Sequence, residues 1–253
     1  MNSTIPHHYH PAADLLSDRV ILVTGAGDGI GRAAALSFAA HGATVILLGK
    51  TIAKLEAVYD EIETAGGRQA AIYPLQLGGA TVEDYETLRE TIEREFGHLD
   101  GLLHNAGILG QRKSILDSNA QDWNDILNVN LTSNFMLTKA LLPPLMKSND
   151  ASIVFTSSGV GRKGRAFWGA YAVSKFGIEG LAQVLADELD TTTNIRVNCI
   201  NPGATNTAMR RTAYPAENPP VNPAPEQIMP AYLYLIGPDS RGITGQSLDA
   251  QRK

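Results

Sequence analysis

The chain has 253 residues, 43% of them hydrophobic, a formal net charge of −5 and a pI near 5.7. That length supports one large core and a single domain, and the acidic balance offers no basic field for nucleic acid or an anionic membrane surface, so the expected partner is a small molecule. No apolar run reaches 18 residues, no basic start precedes an apolar stretch, and the one cysteine, Cys199, lies in the apolar run IRVNCI, so a buried inert thiol and a cytoplasmic location are expected. Residues 1–17 read as a tail in which His7, His8 and His10 flank Tyr9. With no acidic or cysteine companions nearby, a solvated or draped segment is expected there rather than a metal site.

The domain is expected over residues 18–253. Residues 19–24 form a short β-branched run that stops at Gly25-Ala26-Gly27-Asp28-Gly29-Ile30-Gly31 and passes into the Ala-rich stretch RAAALSFAAHG. This is strand, turn, helix. Glycines let the backbone turn tightly against a ligand, and the free amides at a helix start favour phosphate, so a dinucleotide pyrophosphate is the natural guest. The spacing differs from Gly-x-Gly-x-x-Gly, because two glycines crowd the helix start.

A second strand (43–48) ends at Gly49-Lys50, before a polar helix over about 51–65. A carboxylate at that strand end would bond a ribose 2′-hydroxyl and select NAD, whereas a cation accommodates the 2′-phosphate of NADP. Lys50 therefore predicts NADP(H), against the negative charge that Asp28 adds to the glycine turn. A third strand (70–75), an amphipathic helix (about 81–96) and a fourth strand (99–104) follow, the last running into Asn105-Ala106-Gly107. This alternation specifies an α/β fold, a doubly wound parallel sheet of about seven strands with helices on both faces. Ligands bind beyond the carboxyl ends of such strands, which puts residues 105–107 in the crevice.

A long helical segment over about 120–146, closing at Pro143-Pro144, contains Asn130. Asparagine competes for backbone groups inside a helix, so Asn130 either bends it and holds a water or faces solvent. A fifth strand (152–156) delivers Ser157 and Ser158 to the same sheet edge, and the helix over about 168–189 carries Tyr171 and Lys175 four residues apart, on one face. A fixed cation beside a phenol stabilises the phenolate, and a neighbouring hydroxyl can hold a carbonyl or alcohol oxygen while a proton moves. A sixth strand (195–200) leads into Asn201-Pro202-Gly203. The aperiodic stretch to Pro225 reads as a lid over about 203–226 covering cofactor and substrate, before a short helix (about 226–236) and a last strand near 246–248. Arg162, Arg165, Trp168, Met209, Arg210 and Arg211 are candidates for the pocket rim. There the arginines either meet an acidic or acyl-carrier-bound substrate or are simply solvated.

Thr24-Gly25-x-x-x-Gly29-Ile30-Gly31, Asn105-Ala106-Gly107, Asn130, Ser158, Tyr171-x-x-x-Lys175 and Pro202-Gly203, in this order over residues 18–249, resemble the short-chain dehydrogenase/reductase family. Segments such as LLHNAGILG and NCINPGATNTAMR are similar to a bacterial group generally described as NADP-linked, without a defined substrate. The resemblance implies a Rossmann fold and hydride exchange with a small carbonyl or alcohol, with no metal. It also implies pairing through the two long helices into a homodimer or homotetramer. Tyr171 would be the general acid and base, Lys175 would lower its pKa and hold the nicotinamide ribose, Ser158 would orient the substrate, and Asn130 would support a water linking Lys175 to solvent. Gly25, Gly27, Asp28, Gly29, Ile30, Gly31, Lys50, Asn105, Ala106 and Gly107 would line the cofactor, as would Pro202, Gly203, Thr205 and Thr207, with Thr207 at the carboxamide. Two positions depart from the family pattern. Gln76, followed by Leu77, stands where many members place an aspartate at the adenine, and His104 replaces the first of two asparagines, which suits a packing histidine.

Overall fold

In the computed structural model, residues 5–6 and 9–251 are described, and His7 and His8 lie outside them. Seven strands form one all-parallel sheet: β1 (Val20–Thr24), β2 (Thr44–Gly49), β3 (Ala71–Pro74), β4 (Gly101–His104), β5 (Ser152–Thr156), β6 (Arg196–Asn201) and β7 (Ser247–Asp249). Their order across the sheet is β3-β2-β1-β4-β5-β6-β7, so the chain reverses its direction of travel between β1 and β4. β1 and β5 are buried along their whole length, which is why VILVT and SIVFT are continuous apolar runs closed by a threonine rather than alternating ones.

Eight α-helices cover the two faces among the described residues: α1 (Gly29–Ala40), α2 (Ile52–Thr64), α3 (Val82–Glu95), α4 (Ala120–Leu127), α5 (Ser133–Met146), α6 (Gly169–Asp190), α7 (Ala208–Ala213) and α8 (Met229–Ile236). One core layer joins α1, α2 and α8 to the sheet through Phe38, Leu55, Ile62 and Tyr232, and the other joins α3, α5 and α6 through Leu88, Leu141, Ile178 and Leu185. Thr81 and Asp84 cap α3 reciprocally, an arrangement worth about 1 kcal/mol.

Three details differ from the sequence expectation. The segment over 120–146 is helical throughout, but its winding changes at a π-helical turn, Asn128–Thr132, that divides it into α4 and α5. Pro143 and Pro144 lie inside the last turn of α5 instead of closing it, and the Pro144 carbonyl is taken by the Leu99 amide at 3.0 Å. The lid contains α7, which Thr207 caps by accepting from the Arg210 amide at 3.1 Å. Among the described tail residues, Leu16 is fully buried, Tyr9 stacks edge-on against Tyr234 and its hydroxyl donates to Asp239 at 2.7 Å, while His10 is exposed.

Candidate active site

The carboxyl ends of β1 and β4 part at the point where the strand order reverses, and Thr24 fixes both sides of that crevice. Its hydroxyl oxygen accepts the amides of Asn105 (2.9 Å) and Ala106 (3.0 Å) and donates to the Leu103 carbonyl at 3.3 Å. The glycine turn then folds over this edge with almost no clearance. Gly25 has φ +67°, and a Cβ on Gly31 would stand 2.2 Å from the Gly25 carbonyl oxygen and 2.6 Å from the Asn105 amide nitrogen. Asp28 caps α1 by accepting from the Gly29 amide at 2.7 Å, while the amides of Ile30 and Gly31, in the first turn, have no upstream helical carbonyl. The crowded glycines and free helix-start amides fit the pyrophosphate of a dinucleotide.

The structure brings a second cation to the glycine turn. Lys50 is exposed and makes no ion pair, but Lys54, one turn into α2, pairs with Asp28, and its Cβ lies 2.8 Å from where a Gly27 Cβ would stand. The Lys54 ammonium, with the Gly29 amide and Arg211 helping, holds the Asp28 carboxyl below its ordinary range, so the charge that argued against a 2′-phosphate is already countered. The i to i+4 spacing of the two lysines was the signal available. Gln76 is exposed at the end of β3, and Leu77 is buried beneath it.

At the other end of the crevice, Tyr171 and Lys175 share the inward face of α6 and both are buried. The Lys175 Nζ lies 5.6 Å from the Tyr171 ring centroid and donates to the Thr156 carbonyl at 2.7 Å. Burial pushes the Tyr171 phenol up to about 12, with the Ser158 hydroxyl working in the opposite direction. Burial also brings Lys175 down to about 8, against the pull of Cys199 and Glu179. Desolvation is the largest influence on both groups.

Asn130 is fully buried in the π-helical turn, which settles its orientation against solvent. Its side chain accepts from the Ile108 amide (2.8 Å) and donates to the Ile108 carbonyl (2.9 Å) and the Ser174 hydroxyl (3.1 Å), tying the loop after β4 to α6. A Cβ on Gly107 would stand 3.2 Å from the Asn130 Oδ1 and 3.9 Å from the Lys175 Nζ, so that glycine keeps the route between them open. His104 packs beneath, stacked on Phe155 at 4.6 Å with its Nε2 on the Thr138 hydroxyl at 2.8 Å.

The segment expected to act as a lid follows β6 at the same sheet edge. A Cβ on Gly29 would stand 3.5 Å from the Thr207 methyl, which places α7's cap directly over the glycine turn. Gly203 bends with φ +72°, buried Thr205 donates to the Pro202 carbonyl at 3.1 Å, and the Gln251 amide donates to the carbonyls of Pro202 (2.7 Å) and Ala204 (2.9 Å). Beside the lid lies a cleft of about 520 Å³ lined by Leu109, Gln111, Arg112, Phe167, Ala213 and Pro215 among others, and a smaller one next to it reaches Trp168 and Tyr171.

Of the expected rim arginines, Arg162, Arg165 and Arg211 are exposed to solvent and Arg210 is half-buried, and each is engaged by a partner within the chain. Arg210 grips Glu217 through two bonds of 2.6 Å, Arg165 bonds the Tyr214 hydroxyl, Arg211 bonds Asn206, and Arg162 is held by β7. Arg112, which the sequence did not single out, stacks between Trp168 and Tyr214 and donates to the Ala213 carbonyl.

A family model described as short chain dehydrogenase matches residues 19–218. The chain is 54% identical over 244 residues to the uncharacterized oxidoreductase YciK of Escherichia coli K12, covering 96% of each protein, so the bacterial group suggested by the sequence is that of YciK. Among solved structures, a Pseudomonas syringae protein assigned to the short chain dehydrogenases superposes with a TM-score of 0.96 at 57% identity, over 98% of this chain and all of that one. A Shigella flexneri 2a counterpart complexed with NADP gives 0.93 at 53% identity, over 95% of this chain and all of that one. With matches of this identity and superposition along nearly its whole length, the chain belongs to the short-chain dehydrogenase family and is an oxidoreductase similar to YciK.

Proposed function

We propose that this protein interconverts a carbonyl and a secondary alcohol using NADP(H), with Tyr171 as general acid in reduction and general base in oxidation. The observation that carries the reading is the burial of a phenol and an ammonium on one face of α6, beside Ser158 and at the same sheet edge as a glycine turn shaped for pyrophosphate. Bound NADPH supplies the hydride, and everything else falls to the chain. Tyr171 gives its proton to the carbonyl oxygen while Ser158 holds that oxygen, and a phenol near 12 stays fully protonated at neutral pH, which suits the reductive direction. Lys175 holds the nicotinamide ribose hydroxyls, and Asn130 keeps the loop at Ile108 in place so that a water can connect Lys175 to solvent. Gly25, Gly27, Asp28, Gly29, Ile30 and Gly31 cradle the pyrophosphate, and Gln76 and Leu77 border the adenine. Asn105, Ala106 and Gly107 line the crevice, while Pro202, Gly203, Thr205 and Thr207 cover the nicotinamide. Lys50 and Lys54 receive the 2′-phosphate, in keeping with the NADP bound by the Shigella relative.

Purified protein is expected to consume NADPH with a carbonyl substrate found in a metabolite panel. Tyr171→Phe is expected to abolish that consumption while NADPH still binds, measured by nucleotide fluorescence. Lys54→Ala and Lys50→Ala are each expected to lower kcat/KM for NADPH about tenfold relative to NADH, since each removes a charge-assisted contact to phosphate. Tight NADPH binding with no turnover across the panel would favour a nucleotide-binding sensor instead, and an unchanged NADPH-to-NADH ratio in both lysine variants would overturn the 2′-phosphate assignment.

A further inference from the structure

Tyr171, Lys175 and Glu179 follow one another at intervals of four along α6, so the face that carries the phenol and the ammonium carries a carboxylate one turn further on. Glu179 is only 8% exposed, and a buried carboxylate persists where partners compensate its lost hydration. Its partners come from three other elements. The Ser157 hydroxyl, at the end of β5, donates to its Oε1. The Arg162 guanidinium, from the turn after β5, stands 3.6 Å away and is itself fixed by β7 through Asp249 (2.6 Å), Ser247 (2.9 Å) and the Leu248 carbonyl (3.0 Å). The Cys199 thiol of β6 lies against it, and on its own helix Lys175 is the charge one turn back that acts on it.

Ser157 stands between the two residues that frame the reacting groups. The carbonyl of Thr156, on one side, receives the Lys175 ammonium at 2.7 Å. The hydroxyl of Ser158, on the other, acts on the Tyr171 phenol. A bond that immobilises Ser157 therefore fixes both neighbouring peptides at once. We propose that Glu179 is a positioning residue of this oxidoreductase: through Ser157 it sets the carbonyl that anchors Lys175 and the hydroxyl that faces Tyr171, and it places a carboxylate one turn from the Lys175 ammonium on the same buried helix face. The proposal rests on the reading of this site as a dehydrogenase centre. A carboxylate serving packing alone would have no reason to share a face with Lys175, and its neutral isostere would leave the lysine's protonation untouched.

The experiment uses the full chain carrying ¹³C at lysine Cε, with the Lys175 signal assigned from the spectrum of Lys175→Met and followed as pH rises. Burial sets the wild-type midpoint at about 8. Glu179→Gln keeps the shape and the acceptor for Ser157 but removes the charge, and is expected to move the midpoint down by at least about half a pH unit. It is also expected to lower kcat about five- to tenfold, with KM for NADPH within about twofold, because the lost contact acts on the reacting groups and not on the nucleotide. A midpoint that coincides with wild type overturns the electrostatic role, and an unchanged kcat overturns the positioning role. Should Glu179→Gln melt out, Ser157→Ala keeps the carboxylate and breaks the link. It is expected to lower kcat several-fold, and wild-type kcat in that variant overturns the proposal. The NMR readout needs no substrate. A shifted midpoint in a protein that turns over nothing counts against the enzyme reading while supporting the coupling of Glu179 to Lys175.

Discussion

His104 shows how a single side chain can be tuned by its surroundings without entering the chemistry. Burial drives its pKa down to about 3, so the folded protein holds it neutral while the unfolded chain takes up a proton below about 6.5. Between those values the unfolded state binds more protons, so stability falls as pH falls from 6.5 toward 3. His104→Asn removes that dependence. Going from pH 7 to pH 5, wild type is expected to lose about 2 kcal/mol more than the variant in urea unfolding, and parallel losses would show that the ring is reachable by a proton in the fold. At this scale the sequence was informative where chemistry dictates residue type, as at Tyr171 and Lys175. It was silent where a contact is long-range: nothing local to Gln251 announces that it bonds Pro202 and Ala204. Glu179 and Lys54 lay in between, each spaced four residues from a residue already singled out, but a charge at helical spacing is more often a solvated one, and only burial or an ion pair across the fold distinguishes them.

Among the elements, the lid departs furthest from its sequence reading. Residues 203–226 lack periodicity because their order comes from pairs that do not repeat along a face: Arg210 with Glu217, Asn222 with Glu217 and Arg211 with Asn206. α7 has six residues and stands on its Thr207 cap, so its position depends on the root that Gln251 stitches. Gln251→Ala is expected to raise the NADPH dissociation constant several-fold with little change in Tm, read by fluorescence titration and calorimetry. An unchanged constant would show that the root holds without it. The strands, by contrast, were legible nearly to the residue, because a sheet buried on both faces demands continuous apolar runs bounded by turn residues. The break at Asn128–Thr132 was hinted at by Asn130 alone, since a π turn has no compositional signature of its own.

For the whole molecule, the outer faces of α5 and α6 carry large apolar side chains toward solvent: Phe135 is 47% exposed, Phe176 46% and Val184 56%. Clusters of this kind on a single chain mark surfaces that prefer a partner. With the pairing that the family resemblance implies, they fit a second copy of the chain docked helix against helix. Phe176→Asp is expected to shift the protein from an assembled to a monomeric elution volume in size-exclusion chromatography with light scattering, and a wild type that is already monomeric would refute the pairing. The sequence indicated a single parallel sheet, and the structure agrees in its seven strands and in the reversal of strand order between β1 and β4, the kind of point at which such sheets open a crevice.

The π turn has a further consequence, for insertions and deletions. A π turn amounts to one surplus residue absorbed within a helix, so excising one of residues 128, 129, 131 or 132 would restore regular winding while the flanking segments keep nearly their present orientation. Asn130 would lose its grip on Ile108, yet every strand and both core layers would remain intact. A one-codon loss could therefore turn an enzyme of this design into a stable dinucleotide-holding protein without turnover, a change that leaves the glycine turn, the phenol and the ammonium all unaltered in sequence.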